Sequence, residues 1–236
     1  PTAAAATEAP VLATEELACV VRPEMTEGPY FVDVQLDRAD IRSEPSDGSL
    51  REGVPLELIF YVAQVNGAAC APICPPTRQV WHCDAQGVYS AVSGEGGDTS
   101  SQKFLRGYQV TDASGKVQFT TIYPGWYTGR TVHIHFKVRT SASDNQSYEF
   151  TSQLYMDDAL SDEIFSRAPY LRSASRDTTN ATDMHYANGG DQLLLALAPA
   201  GEGYTTLFAL GLDLADSDAG ASDSFSTGGD GRPGTP

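Results

Sequence analysis

Basic residues are scarce in this 236-residue chain, which carries 15 Lys and Arg against 31 Asp and Glu, a formal net charge of −16. Binding to a nucleic-acid backbone depends on clustered basic residues, and anionic membrane surfaces also attract cations. The charge balance therefore argues against both kinds of partner. No apolar run approaches the roughly 20 residues that a membrane-spanning helix needs, and no internal repeat is apparent.

Cysteine is also sparse, at four residues: Cys19, Cys70, Cys74 and Cys83. Such a set forms either structural disulfides or a metal site. Zinc sites usually repeat a pair of cysteines separated by two residues, and no such repeat occurs here. Residues 1–10, PTAAAATEAP, resemble a spacer left after removal of a signal peptide. Together these features predict an exported protein with one or two disulfides.

The composition, with 41% hydrophobic and 19% charged residues, suits a single globular domain. We expect a flexible spacer over residues 1–17, one β-domain over residues 18–213, and an unstructured tail or linker over residues 214–236. Turn-forming residues separate short β-like runs, which predicts an all-β sandwich or barrel. The predicted strands are residues 56–65, 78–83, 116–122, 132–139, 149–156, 192–197 and 205–212. A short helix is predicted at residues 161–166.

Residues with metal-binding chemistry cluster in the segment TIYPGWYTGRTVHIH, residues 121–135. Side chains alternate between the two faces of a strand, so His133 and His135 should point the same way and reach one metal ion. Apolar residues occupy the even-numbered positions from 132 to 138, as a half-buried strand requires. The pattern predicts a metal site on one face of this strand.

Tyrosine in the same segment narrows the choice of metal. Histidine is the commonest neutral ligand, whereas tyrosine binds a metal when a strongly acidic cation, typically ferric iron, removes its phenolic proton. Tyr127 is one candidate, and Tyr89 is the best second one, because it ends a Gly-containing turn where a side chain can enter a cleft. The sequence therefore predicts a non-haem iron site made by Tyr89, Tyr127, His133 and His135.

Five segments are similar to the intradiol ring-cleavage dioxygenases, and especially to the small secreted members of that family. They are TEGPYF at 26–31, WHCDA at 81–85 with Tyr89, YPGWY at 123–127, RTVHIH at 130–135 and TSQLY at 151–155. The run RDTTNATD at 176–183 is also similar to secreted members. The resemblance covers residues 18–213, and the ordered combination of motifs is highly specific.

The resemblance implies a two-sheet β-sandwich with an Ig-like or prealbumin-like core, long loops and little helix. It implies one Fe(III) per chain held by the four predicted ligands, of which Tyr127 and His135 would be axial. Two phenolates and a hydroxide would neutralise the three charges of the ion. The implied reaction is cleavage of a catechol by O2, between its two hydroxyl-bearing carbons, to a cis,cis-muconate-type diacid.

The resemblance also implies roles for residues beside the predicted ligands. Arg130 would stabilise charge that develops on the ring, which suits a guanidinium because it stays protonated. Gln153 would lie beside the iron-bound oxygen, and Tyr127 would act as a base as well as a ligand. The implied substrate contacts are Gly28, Pro29, Tyr30 and Trp126.

The secreted members imply further properties. An extracellular protein acting on plant-derived or lignin-derived aromatics is expected. A monomer is expected, because the chain lacks the helical N-terminal region that forms the dimer interface of intracellular relatives. Cys74 is an addition to the usual family pattern, and the disulfides expected on that basis are Cys19–Cys70 and Cys74–Cys83. The C-terminal tail is interpreted as a possible link to a carbohydrate-binding module.

Two rival functions remain open on the residues alone. A cupin-type oxygenase also uses His-x-His on a strand, but it adds a nearby glutamate and a later histidine, and Glu149 and His185 fit those places poorly. A non-catalytic β-sandwich module that binds polysaccharide or protein is the other alternative. His82 and His185 are interpreted as structural or solvated, and Asn145 and Asn180 match glycosylation acceptors.

Overall fold

The computed structural model describes residues 20–67, 69–73, 76–94, 97–141 and 147–214. The predicted spacer over residues 1–17 lies outside these ranges, as do Cys19, Cys74, Asn145 and all but the first residue of the predicted tail. No helix in the described ranges is long and apolar enough to cross a membrane.

Strands dominate the described fold, so the predicted all-β, two-sheet sandwich is confirmed. The strands are β1 (Pro55–Asn66), β2 (Ala69–Pro72), β3 (Thr77–Trp81), β4 (Ser93–Gly94), β5 (Gly97–Asp98), β6 (Arg106–Val110), β7 (Lys116–Ile122), β8 (His133–Ser141), β9 (Ser147–Tyr155), β10 (Ala198–Ala200) and β11 (Gly203–Leu212). Within the described ranges, one α-helix, α1, spans Asp158–Phe165, and two 3-10 helices span Tyr186–Asn188 and Gly190–Leu193.

The first sheet is built around β1. On one edge β11 pairs with β1 in parallel, and β10 extends the sheet beyond β11. On the other edge β7 pairs antiparallel with the first half of β1, and β2 pairs with its last four residues. Alternate residues of β1, namely Leu56, Leu58, Phe60 and Val62, are buried, so β1 presents one face to the core.

The second sheet has the order β6–β3–β8–β9, and every pairing in it is antiparallel. Ile134, Phe136 and Val138 of β8 pack into the core between the sheets. His133 and His135, at the odd-numbered positions, therefore lie on the opposite, outer face. The alternation agrees with the sequence prediction, but the strand is not half-buried as expected, because His133, His135 and Lys137 on the outer face are buried as well.

Four phenylalanine rings join the two sheets. The ring centroid of Phe60 lies 5.3 Å from that of Phe136 on β8, 6.1 Å from Phe208 and 6.2 Å from Phe119. All four rings are buried, and full burial of each contributes roughly 1.5–3 kcal/mol. Their packing sets the spacing of the sheets and so holds β8 in place.

Two local predictions were wrong. Residues 192–197 do not form a strand, because a 3-10 helix runs to Leu193, Leu194 makes only an isolated bridge to Tyr155, and the chain is irregular from there to residue 197. Leu193 and Leu195 are nevertheless buried. An apolar run alone does not distinguish a strand from a buried helical or irregular segment. The predicted helix at residues 161–166 begins earlier, since the Asp157 carboxylate caps it by accepting from the Leu160 amide at 2.9 Å.

The expected Cys74–Cys83 disulfide is also wrong, because Cys83 is free and buried. Cys83 follows β3 into the interior, where its Sγ lies 3.5 Å from the Gly125 carbonyl oxygen. Burial raises the pKa of the Cys83 thiol, which keeps the group protonated and unreactive. The Cys19–Cys70 pairing stays a prediction, because Cys19 lies outside the described residues.

His82 links the two sheets through buried hydrogen bonds. Its Nδ1 lies 2.8 Å from the Cys83 carbonyl oxygen, and its Nε2 lies 2.7 Å from Thr121 Oγ1 on β7. The ring therefore donates from Nδ1 and accepts at Nε2, as a neutral imidazole does. Burial lowers the pKa of His82 to about 4. These contacts support a structural role for His82.

We predict that His82 makes the free energy of unfolding fall as the pH drops from 6.5 to about 4. Across this window the unfolded imidazole takes up a proton while the folded one stays neutral, so the unfolded state binds more protons. The contribution is on the order of 3 kcal/mol. Urea unfolding at a series of pH values measures it, and His82→Gln should flatten the pH dependence. Equal slopes for the two proteins would contradict the prediction.

Candidate metal centre

Four donor atoms converge on the outer face of the second sheet. Tyr127 Oη lies 3.1 Å from His133 Nε2, and Tyr89 Oη lies 3.5 Å from the same nitrogen. His135 Nε2 lies 3.1 Å from it as well. The structure thus brings together all four side chains that the sequence predicts as iron ligands.

Neighbours on the sheet orient the two imidazoles. His133 Nδ1 lies 2.6 Å from the Thr131 carbonyl oxygen, which leaves Nε2 directed to the other donors. His135 is flanked by Trp81 on β3 and Gln153 on β9. The Trp81 indole stacks on the His135 ring, with centroids 5.0 Å apart and planes 6° apart. His135 Nδ1 is buried and has no hydrogen-bond partner among the described residues.

The two tyrosines come from loops that pack against each other. Gly87 forms the turn before Tyr89 with φ +83°, and a Cβ there would approach the Trp126 carbonyl oxygen to 2.1 Å. Glycine is therefore required for the Tyr89 loop to contact the backbone just before Tyr127. This close approach brings the two phenol groups to the same place.

A third tyrosine forms an aromatic wall over the centre. Tyr30 stacks on Tyr89 with ring centroids 4.5 Å apart and meets Tyr127 edge-on at 5.7 Å. The buried Arg106 holds this arrangement, since Nη2 donates to the carbonyl oxygens of Tyr30 at 2.8 Å and Ser90 at 2.6 Å. Burial lowers the pKa of Arg106 to about 10, so the guanidinium stays charged at neutral pH.

The loop before Tyr30 lies directly against His135. Gly28 has φ +73°, and a Cβ at this position would lie 3.2 Å from His135 Cε1. The Thr26 carbonyl oxygen accepts from Gln153 Nε2 at 2.9 Å, which ties the loop to β9. Pro29 is exposed beside Gly28. Gly28 and Tyr30 are thus next to the predicted ligands, as expected for a substrate loop.

Arg130 belongs to a hydrogen-bonded network beside the imidazoles. Its Nε donates to Asp183 Oδ2 at 2.8 Å, and its Nη2 donates to Gln153 Oε1 at 2.5 Å. Tyr155 Oη also donates to Gln153 Oε1, at 3.2 Å. Burial acts to lower the pKa of Arg130, but Tyr127 and Asp183 hold it above its ordinary value. Arg130 therefore carries a permanent positive charge at this site.

Burial governs the protonation of the four converging groups. It raises the pKa of the Tyr89 and Tyr127 phenols and lowers the pKa of the His133 and His135 imidazoles. All four are neutral in this environment without a cation. Two phenolates would form here only beside a strong positive charge, because an isolated buried anion is costly.

The donor set fits a ferric ion. Within the described residues no group of three or more His, Cys, Asp or Glu side chains could hold a metal ion, so the centre depends on its two tyrosines. Two imidazole nitrogens 3.1 Å apart need a shared proton or cation between them. Two phenolates and two neutral imidazoles would offset most of a trivalent charge with oxygen and nitrogen donors, which suit iron.

Trp126 lies apart from this centre. The Arg172 guanidinium sits 3.6 Å above its ring, and the ring packs in the main core rather than with the tyrosines. It borders a cavity of about 420 Å³ beside α1, whose other walls include Phe165, Tyr170, Leu171, Arg172 and Arg176. The role of Trp126 as a substrate contact stays a prediction.

Asn180 is held within the fold beside Arg130. Its Nδ2 donates to the Met156 carbonyl oxygen at 2.9 Å, and its Oδ1 accepts from Thr131 Oγ1 at 2.7 Å. Both polar atoms of the Asn180 side chain are thus hydrogen-bonded within the fold, and its glycosylation stays a prediction.

Sequence reasoning overlooked four residues of this site: Trp81, Arg106, Tyr155 and Asp183. Three of them lie inside segments that resemble the family, but no pattern in those segments marks them as neighbours of the ligands. Arg106 lies on β6, a strand the sequence prediction missed. Strand pairing is the signal that places Trp81 beside His135 and Tyr155 beside His133.

The fold and donor set define a β-sandwich protein with a two-tyrosine, two-histidine centre. A dioxygenase family model matches residues 26–197, well over half of the chain. The chain belongs to the intradiol ring-cleavage dioxygenase family. Comparison with curated protein sequences gives no match.

Solved structures with the same fold come from animals and bacteria. The intradiol ring-cleavage dioxygenase from Tetranychus urticae is 28% identical, with a TM-score of 0.70 over 85% of this chain and 98% of its own. The dioxygenase domain of a dioxygenase carbohydrate-binding protein fusion from Streptomyces sp. SirexAA-E is 29% identical, with a TM-score of 0.60 over 82% and 99%. The 3-chlorocatechol 1,2-dioxygenase from Rhodococcus opacus 1CP, at 21% identity, has a TM-score of 0.57 over 85% and 77%.

We predict that Gly28→Ala weakens binding of Fe(III) about tenfold, because the new Cβ would lie against the His135 ring. Titration with Fe(III) in competition with a chelator measures the affinity. Gly48→Ala is the matched control, since Gly48 has φ +74° and nothing within 4 Å of an added Cβ. Both variants should lose about 1–2 kcal/mol of stability to the strained φ. Equal Fe(III) affinity in the two variants would refute the contact.

Proposed function

We propose that the protein is a non-haem Fe(III)-dependent enzyme that cleaves catechol-type aromatics with O2 to cis,cis-muconate-type products. The observation that carries the proposal is the convergence of three donor atoms within 3.5 Å of His133 Nε2. Membership of the intradiol dioxygenase family supports ring-cleavage dioxygenase activity. The proposed ligands are Tyr89, Tyr127, His133 and His135.

Bound ferric iron would draw electron density from a chelated catechol and make its ring reactive toward O2. A residue of the chain itself would accept the proton that the substrate loses. Burial raises the pKa of Tyr127 where no cation lies beside it, so a Tyr127 phenolate free of the metal would be a strong base. Tyr127 Oη is therefore suited to take a proton from a catechol hydroxyl.

Arg130 would stabilise charge on the substrate ring, and Gln153 would lie beside the metal. The Arg130 guanidinium is fixed in place before substrate arrives, because Nε and Nη2 both have buried acceptors. A preorganised cation stabilises developing negative charge without a reorganisation cost. Gln153 is fully buried and lies opposite His135, which supports a position for its amide beside the proposed metal.

The loop containing Gly28, Pro29 and Tyr30 would form one wall of the substrate pocket. Tyr30 is half-buried and already stacked on Tyr89, so its ring offers apolar surface next to a ligand. Such a wall suits a flat aromatic substrate and excludes water from it. Trp126 remains the fourth proposed contact.

We also propose that the protein is an exported monomer with at least one disulfide, acting on extracellular aromatics. The relative from Streptomyces is the dioxygenase domain of a carbohydrate-binding protein fusion, which supports a link between the C-terminal tail and such a module. The acidic composition suits a freely diffusing protein.

The two rivals predict different properties. A cupin-type centre adds a carboxylate, whereas the described His, Cys, Asp and Glu side chains provide no group of three. A binding module would need no redox metal and would not consume O2. Both rivals predict a nearly colourless protein.

We predict that Fe(III)-loaded protein is burgundy to red-brown from phenolate-to-iron charge transfer, and that it consumes O2 with catechols. Oxygen uptake against a panel of substituted catechols, with mass spectrometry of the products, separates intradiol from extradiol cleavage. Tyr89→Phe removes one proposed ligand oxygen and should lose both colour and iron. A colourless wild-type protein without O2 uptake would overturn the proposed function.

We predict that Arg130→Leu retains iron and colour but slows turnover, since it leaves the four donors intact and removes one electrostatic stabiliser. The expected loss in kcat corresponds to about 2–4 kcal/mol of transition-state stabilisation. Steady-state oxygen uptake measures kcat, and the visible spectrum reports the ligands. An unchanged kcat would exclude the proposed role.

A further inference from the structure

Asp183 is a buried carboxylate outside the set of proposed ligands and catalytic residues. Its side chain is 0% exposed, and it forms an ion pair with Arg130, whose side chain is 13% exposed. Among the described residues, Asp183 is the one carboxylate ion-paired with Arg130. Burial acts to raise the pKa of Asp183, but Arg130 and backbone donors hold it below its ordinary value, so the group is ionised at neutral pH.

The two oxygens of Asp183 serve two different segments. Oδ2 accepts from Arg130 Nε and from the Thr131 amide, each at 2.8 Å. Oδ1 accepts from the amides of His185 at 2.8 Å and Tyr186 at 2.9 Å. A carboxylate offers about four acceptor positions, and all of them are used. Asp183 is therefore saturated and is not available as a general base.

This arrangement restrains Arg130 at both ends of its guanidinium. Asp183 Oδ2 accepts from Arg130 Nε and from the backbone amide of the next residue, Thr131. Gln153 Oε1 accepts from Arg130 Nη2 at 2.5 Å. Removing the carboxylate would leave Gln153 to hold a long, flexible side chain alone. It would also leave a partly buried cation without its counter-ion.

We propose that Asp183 is a positioning residue that holds the Arg130 guanidinium in place for the ring-cleavage reaction. The proposal rests on the proposed function, because Arg130 acts only if the site cleaves a ring. Asp183 itself would touch neither the substrate nor the metal, and it would act through Arg130. It would also couple the segment around residues 183–186 to the site.

Asp183→Asn tests this in the iron-loaded protein, since it keeps the shape of the side chain and removes its charge. We expect iron content and colour to be retained, kcat to fall about 10–100-fold, and KM to change little. The matched control is Asp177→Asn, an exposed residue whose Oδ1 accepts from the Gly129 amide at 3.1 Å. The control should retain the kcat of the wild type.

A double-mutant cycle separates positioning from general destabilisation. In the Arg130→Leu background, Asp183→Asn should change kcat by less than about twofold, because it has no guanidinium left to position. If Asp183→Asn lowers kcat as much in the Arg130→Leu background as in the wild type, its role is structural and the proposal is overturned. A wild-type kcat in the single variant would overturn it too. A wild-type protein that does not cleave catechols would instead overturn the proposed function.

A measurement on metal-free wild-type protein needs neither activity nor a folded variant. Hydrogen exchange of Arg130 Nε–H, followed by NMR, should be at least about tenfold slower than that of Arg167, whose side chain is 54% exposed. Equal exchange rates would mean that the Asp183 contact does not hold, and the proposal would fail.

Discussion

The constraint on which this structure depends is the strict alternation of side chains along β8. Its even-numbered residues fill the core between the sheets, and its odd-numbered residues place two imidazoles on the outer face. A shift of one residue in register would turn the histidines into the core between the sheets and the apolar side chains onto the outer face. The phenylalanine cluster that packs β8 against the first sheet therefore also fixes the candidate metal centre.

Polar and charged groups lie together on the outer face, where burying any one of them without a partner would be unfavourable. Arg106 is buried and binds backbone carbonyl oxygens, while Arg130 is paired with Asp183. Each contact offsets part of the desolvation cost, and each also ties a separate loop to the sheet. The same hydrogen bonds that satisfy these cations thus set the positions of Tyr30 and Gln153.

The loops rather than the sheets give the centre its particular character. Tyr89 and Tyr127 arrive from segments that touch at Gly87, and Gly28 brings a third loop against His135. Relatives as different as the Tetranychus urticae and Streptomyces proteins keep the sandwich at 28–29% identity. Differences in substrate among such proteins are expected to arise in these loops, because the scaffold below them is shared.

The sequence alone determined the β class, the alternation of side chains along β8 and the four candidate donors, because alternation and residue chemistry are local properties. It did not show that both faces of β8 are buried. It misplaced residues 192–197 as a strand and paired Cys83 wrongly, since an apolar run or a cysteine does not reveal its partner. Only the tertiary structure decided that Trp81 stacks on His135 and that Asp183 holds Arg130. Those contacts join residues distant in the chain, and strand register and loop packing create them after the chain has folded.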